Sequence, residues 1–162
     1  MDQLEYACVL FDERNPESEK FTNNFMLGEW GWKLCQDAYK TEMSLTTGLP
    51  ETEFGIEKGL TVCAVTKDKR CLGFMNLYIN ADNAPGTLCI GHVYVRPEVR
   101  EKGVYKRMVE RTEKFSKDIG AKRIISFVHR SNGGSMKAHH KLGFKQAMVG
   151  YVKEVEDVQT DA

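Results

Sequence analysis

The segment Val95-Arg96-Pro97-Glu98-Val99-Arg100-Glu101-Lys102-Gly103-Val104-Tyr105 sets cations beside a glycine where a β-rich run gives way to a helical one. Unpaired N–H groups at a helix N-terminus point outward and carry about half a positive charge, so a turn of this kind suits an anion, a phosphate above all. Arg96, Arg100, Lys102, Lys106 and Arg107 outnumber Glu98 and Glu101. Gly103 lets the backbone approach a phosphate without a Cβ in the way. The plainer alternative is a basic helix start on a solvated face. The spacing is neither the G-x-x-x-x-G-K-[ST] of a nucleotide P-loop nor the G-x-G-x-x-G of a dinucleotide fold. Just upstream stands His92, the nearest side chain whose type titrates near neutrality and so suits proton transfer.

The elements around this turn follow from periodicity. Residues 4–11 read as an opening strand, ended by Asp12-Glu13-Arg14-Asn15-Pro16. Phe21, Phe25, Trp32, Cys35, Tyr39 and Met43 recur at helical steps, and Gly28 and Gly31 interrupt them. Each interior glycine costs ~1 kcal/mol relative to alanine, so two short helices, about 18–27 and 31–44, are expected in place of one long one. Residues 46–59 form an irregular connection. Strands follow at 60–66, 71–80 and 87–95, with a turn at 81–86. Val104, Tyr105, Met108, Val109, Thr112, Phe115 and Ile119 mark the inner face of a helix that stops at Gly120. A strand at 123–129, a helix at 135–142 capped by Gly143 and a final strand or bent strand pair at 144–155 complete the order. The result is a mixed sheet whose later half contains β-α-β crossovers.

At 162 residues the chain has room for one domain with a core that needs no staples. Its 23 basic and 23 acidic side chains cancel, which speaks against grip on nucleic acid or an anionic membrane by bulk charge. Five cysteines are an odd number and none form a C-x-x-C pair, so no zinc knuckle or secreted disulfide framework is indicated. No metal is expected. The start, Met-Asp-Gln-Leu-Glu, lacks a basic, then apolar leader, and no apolar run approaches the ~18 residues of a membrane span, so a cytoplasmic location is expected.

Two motifs in order give the chain a resemblance. Arg100-x-x-Gly103-x-Tyr105, after the strand ending at Val95, resembles the acyl-CoA pyrophosphate loop of the GCN5-related N-acetyltransferases, usually Arg/Gln-x-x-Gly-x-Gly/Ala. Asn132-x-x-Ser135-x-x-Ala138-His139-x-x-x-Gly143-Phe144 is similar to that family's Asn-x-x-Ser/Ala-x-x-aliphatic-Tyr/His-x-x-x-Gly-Phe segment. The match spans roughly 60–155, whereas residues 1–59 share only a strand-then-helices outline. Tyr105 departs from the pattern, standing where a small residue is usual; it would reshape the loop without abolishing it.

The resemblance implies an α/β (α+β) fold, a mixed and mostly antiparallel sheet with a splayed strand pair and about four helices. It implies one domain, with the acceptor-side elements in 1–59, an acyl-CoA-binding core in 60–155 and an acidic tail at 156–162. It further implies transfer of an acetyl group from acetyl-CoA, leaving CoA, to a primary amine of a small molecule or a protein, by direct attack. Val93, Tyr94 and Val95 would hold the pantetheine arm through their main chain like an added strand, and one N–H could polarise the thioester. Arg100, Glu101, Lys102, Gly103, Val104 and Tyr105 would cradle the diphosphate.

Where many relatives carry a carboxylate base, this chain has Cys89, a poor base. His92 lies on the same strand. Strict alternation puts the two on opposite faces, yet the family's strand carries a bulge that can undo that parity. His92 is therefore either a base or water relay, or a packed or surface histidine. His139 stands where relatives place an acid that protonates the departing thiolate, and it either does so or packs beside the cofactor. Asn132 and Ser135 would contact the pantetheine and a phosphate, or cap a helix. Trp30 and Trp32 either fill the core or wall the acceptor pocket. A catalytically degenerate acyl-CoA-binding module is the competing function, motivated by Tyr105 and the missing carboxylate. Dimers are common in the resembled family, and the strand around Tyr151 offers a sheet edge for one.

Overall fold

The computed structural model describes residues 5–11, 22–54, 60–79, 86–126, 133–146 and 153. The order is β1 (Ala7–Phe11), α1 (Thr22–Thr47), a 3-10 turn (Glu51–Glu53), β2 (Leu60–Val65), β3 (Cys71–Ile79), β4 (Thr87–Val95), a second 3-10 turn (Pro97–Val99), α2 (Val104–Asp118), β5 (Arg123–Ser126) and α3 (Gly133–Lys141). The chain divides into two compact units, Met1–Phe127 and Val128–Ala162, so α3 belongs to the second. The five strands form one sheet in the order β1-β2-β3-β4-β5. Its neighbours are antiparallel except for β4 and β5, which run parallel. This is the mixed, mostly antiparallel sheet expected from the sequence. The 81–86 turn lies almost wholly outside the described residues, as do the end of the 123–129 strand, the tail and the strand around Tyr151.

One expectation is overturned. The two short helices are a single helix, α1, running through Gly28 and Gly31, and three α-helices stand in the described residues. The reason is tertiary. A Cβ on Gly31 would lie 2.6 Å from Val65 Cγ1 and 3.5 Å from Cys71 Cβ, so this glycine is where the helix rests directly on the β2–β3 hairpin. That contact seals Trp32 and Cys35 into a core with Cys63, Val65, Cys71, Phe74 and Tyr94. Burying even one such aromatic side chain is worth ~1.5–3 kcal/mol, which outweighs the helix cost of a glycine.

The sheet's other face is covered by α2. Val104, Met108, Val109, Thr112 and Ser116 are buried there, and the Thr112 hydroxyl donates to Met108 O at 2.9 Å and lies 3.3 Å from Met75 Sδ. Ile119, expected on the inner face, is 44% exposed because α2 ends at Asp118 before it. All five cysteines are free thiols. Cys35, Cys63 and Cys71 meet in the core between α1 and the sheet, where burial pushes the Cys35 and Cys63 thiols up. Both donate toward Cys71, and these two bonds pull the Cys71 thiol down from its ordinary value; Cys71 Sγ lies 3.3 Å from Gly73 O. No helix among the described residues is long and apolar enough to cross a membrane.

Candidate active site

The site grows from an irregularity in β4. Met75 pairs with Val93, but Leu77 pairs with Ile90, so two β4 residues, Gly91 and His92, stand opposite the single Asn76. This is the bulge the resemblance implied. It undoes the parity: Cys89 pairs with Tyr78, Tyr94 with Phe74, and Tyr78 and Phe74 are four apart, so Cys89 and Tyr94 share the α1 face. His92 is exposed, and its ring lies 6.2 Å from that of Tyr39 on α1. Tyr39 in turn meets Phe74 at 6.0 Å and Tyr94 at 5.8 Å, both edge-on. His92 therefore sits at the rim of an aromatic cluster on the α1 side, with Cys89 buried on that same side.

Beyond the bulge, β4 has a main-chain edge that β5 does not cover among the described residues, although Val95 O accepts from Arg100 Nε. Arg96 N–H donates to Leu72 O at 2.9 Å, so by alternation Tyr94 turns its main chain toward β3, and Val93 and Val95 turn theirs away. On that side β5 pairs only with Thr87 to Ile90. Among the described residues nothing from β5 meets Val93 or Val95. Gly73 makes the close β3–β4 approach feasible: a Cβ there would lie 2.7 Å from Tyr94 O and 3.3 Å from Met108 Cε.

The turn after β4 is fixed at both ends by buried valines, Val99 and Val104. Arg96 is structural, its Nε donating to Cys71 O at 2.6 Å. Glu101 and Gly103 both adopt left-handed backbone, at φ 64 and φ 84. For Gly103 the conformation is the constraint, since among the described residues a Cβ would meet nothing within 4 Å. Gly103 is the N-cap of α2 and makes no side-chain cap, so the helix start keeps its positive end toward the exposed loop. Its carbonyl accepts from Arg107 N at 3.1 Å and from the Tyr6 hydroxyl at 3.4 Å, with the Arg107 guanidinium 4.3 Å above the Tyr6 ring. Tyr105 is half-buried, and burial pushes its hydroxyl up to about 12, so this phenol is neutral at physiological pH. The loop of exposed Glu101, Lys102 and uncapped Gly103 fits an anionic group such as a diphosphate.

Arg100 is held by groups of the protein itself. Its Nε donates to Val95 O at 2.8 Å, and its Nη2 donates to both carboxylate oxygens of Glu42 at 2.9 and 3.1 Å. The guanidinium also lies 5.7 Å from the centre of the Tyr94 ring. Tyr94's hydroxyl is raised above the ordinary phenol range by burial and then by its hydrogen bond to Glu42. Sequence reasoning missed Glu42 and the Tyr94 side chain. The available signal was spacing: Cys35, Tyr39 and Glu42 follow at helical steps of four and three on α1.

The first unit thus brings together His92, Val93, Tyr94, Val95, Arg100, Glu101, Lys102, Gly103, Val104 and Tyr105. Trp32 is buried in the core, settling it as packing, and the Trp30 side chain lies outside the described residues. In the second unit His139 is buried, 5.0 Å from the Phe144 ring and edge-on to it, with Phe144 N donating to His139 O at 3.0 Å. His140 is exposed, and Gly143 ends the helix with φ 86. Ser135 is in α3 with its side chain outside the described residues, as is all of Asn132. Among the described residues no cluster of three His, Cys, Asp or Glu side chains could hold a metal.

Solved structures with this fold include the aminoglycoside N-acetyltransferase AAC(6')-Iy in complex with CoA, at 17% identity and a TM-score of 0.54, covering 92% of this chain and 100% of that one. The same enzyme with the bisubstrate analogue CoA-S-monomethyl-acetylneamine gives 18%, 0.56, 94% and 100% in the same order. An aminoglycoside acetyltransferase from an uncultured soil metagenomic sample, in complex with sisomicin, gives 10%, 0.62, 93% and 97%. No curated protein sequence matches significantly. Residues 26–144 match the model of the acetyltransferase (GNAT) family, a stretch that runs from within α1 through the bulged β4 and the turn after it to Phe144. The chain belongs to the acetyltransferase (GNAT) family.

Proposed function

We propose that this protein transfers an acetyl group from acetyl-CoA to a primary amine by direct attack in a ternary complex. The carrying observation is the outward main-chain edge of Val93 and Val95, which leads straight into the uncapped start of α2 at left-handed Gly103. An edge of that kind accepts an extended amide chain as an added strand, and the helix start and Lys102 receive its phosphates. Acetyl-CoA, when bound, supplies the acetyl group as an activated thioester. An N–H from the β4 edge would polarise the thioester carbonyl.

An alkylamine, with a pKa near ~10, is largely protonated at neutral pH and must lose a proton before it attacks. His92, exposed beside the Tyr39–Tyr94 cluster, is the proposed base or water relay. His139 is the proposed donor to the departing thiolate, and His139→Phe is then expected to lower turnover by up to ~10²-fold with KM nearly unchanged. Steady-state kinetics at saturating acetyl-CoA check this, and wild-type turnover would leave His139 a packing residue against Phe144. The similar aminoglycoside acetyltransferases support a small-molecule amine as acceptor over a protein amine.

The experiment is release of free thiol from acetyl-CoA across a panel of amines and peptides. Acceptor-dependent release is expected. Tight CoA binding with no such release would assign the chain to the competing class, a binding module.

A further inference from the structure

The two groups that a coenzyme would seek at the end of β4 are holding each other. Val95 O, on the outward edge, is occupied by Arg100 Nε at 2.8 Å, and Arg100 Nη2 is held by both carboxylate oxygens of Glu42. Glu42 comes from α1, 58 residues earlier in the chain, and also accepts the Tyr94 hydroxyl. The contact therefore ties α1 to the turn that receives phosphate.

We propose, resting on the acetyl-CoA reading, that Glu42 is a latch that holds Arg100 away from the cofactor loop, and that a coenzyme diphosphate takes Glu42's place as the partner of Arg100. The pair can open at small cost, since the two side chains keep 46% and 34% of their exposure and exposed pairs are weak. A diphosphate offers more charge and more acceptor oxygens than one carboxylate, so the exchange runs toward the coenzyme. Release of Arg100 also frees Val95 O for an added strand. The Glu42 carboxylate is left with Tyr94's hydroxyl and no cation, on the α1 side where His92 and Tyr39 stand. Coenzyme binding thereby creates a negative site on that side, and the order of binding becomes coenzyme first, cationic amine second. Glu42 is a positioning residue in this scheme.

Calorimetry with CoA tests it on the full chain as wild type, Glu42→Gln, Arg100→Gln and the double variant. Glu42→Gln is expected to bind CoA about two- to fivefold more tightly, the weight of an exposed ion pair, and Arg100→Gln more weakly. With Arg100 already replaced, Glu42→Gln is expected to change nothing, since the cycle isolates their coupling. Glu42→Ala, which removes the acceptor of the Tyr94 bond as well, must shift affinity in the same direction as Glu42→Gln. Affinity equal to or weaker than wild type in either variant overturns the latch. Absence of heat in the wild type overturns the acetyl-CoA reading itself, so the two failures are distinct.

Discussion

Gly103→Val is expected to raise the KM for acetyl-CoA by about tenfold or more, equivalent to ~1.4 kcal/mol of lost binding per factor of ten. Gly103 sits at φ 84, and a β-branched residue there carries strain of ~1–3 kcal/mol. Among the described residues no neighbour lies within 4 Å of the added Cβ, so the effect is expected to pass mainly through the backbone. The strain is relieved by rotating the peptide out of the left-handed region, which turns the start of α2 away from the loop and loosens Gly103 O from Arg107 and Tyr6. Gly103→Asn serves as the control, because asparagine tolerates that conformation and is expected to keep KM close to the parent value. Steady-state kinetics with acetyl-CoA varied separate the two. An unchanged KM in the valine variant would remove the diphosphate from this turn.

The second large effect is on stability. Gly73→Val is expected to cost about 3 kcal/mol or more, out of the ~5–15 kcal/mol that holds a domain of this size together. The Cβ would stand 2.7 Å from Tyr94 O and 3.4 Å from Val95 Cα, both backbone, which cannot move aside without opening the β3–β4 ladder. Met108 Cε at 3.3 Å closes the remaining direction. Gly91 offers the contrast, since the atom its Cβ would meet belongs to the half-exposed Tyr78 ring, which can swing away. Urea unfolding of Gly73→Val and Gly91→Ala measures the difference. Equal midpoints for Gly73→Val and the parent would mean that β4 does not approach β3 as closely as the register requires.

Most of the sheet was legible because β2, β3 and β4 are runs of β-branched and aromatic residues bounded by turn formers, and α2 keeps one apolar stripe from Val104 to Ser116. The turn at Gly103 was legible for a similar reason: a glycine and cations at the junction of strand and helix mark a tight start of a helix. Glu42 was illegible in that sense. A carboxylate about four-fifths of the way along a helix has no local signature of its task, and its partner Arg100 lies 58 residues away.

What the sequence determined by itself is therefore local: strand and helix type, the turn chemistry at Gly103, and the order of motifs that carries family membership. Only the tertiary structure decided that α1 runs unbroken through Gly31, that a bulge puts Cys89 on the same side as His92, and that Arg100 turns to Glu42. Each depends on a surface brought up from elsewhere in the chain. The hairpin under Gly31, the single residue Asn76 opposite two of β4, and the carboxylate on α1 change the balance of energies that neighbouring residues alone would set.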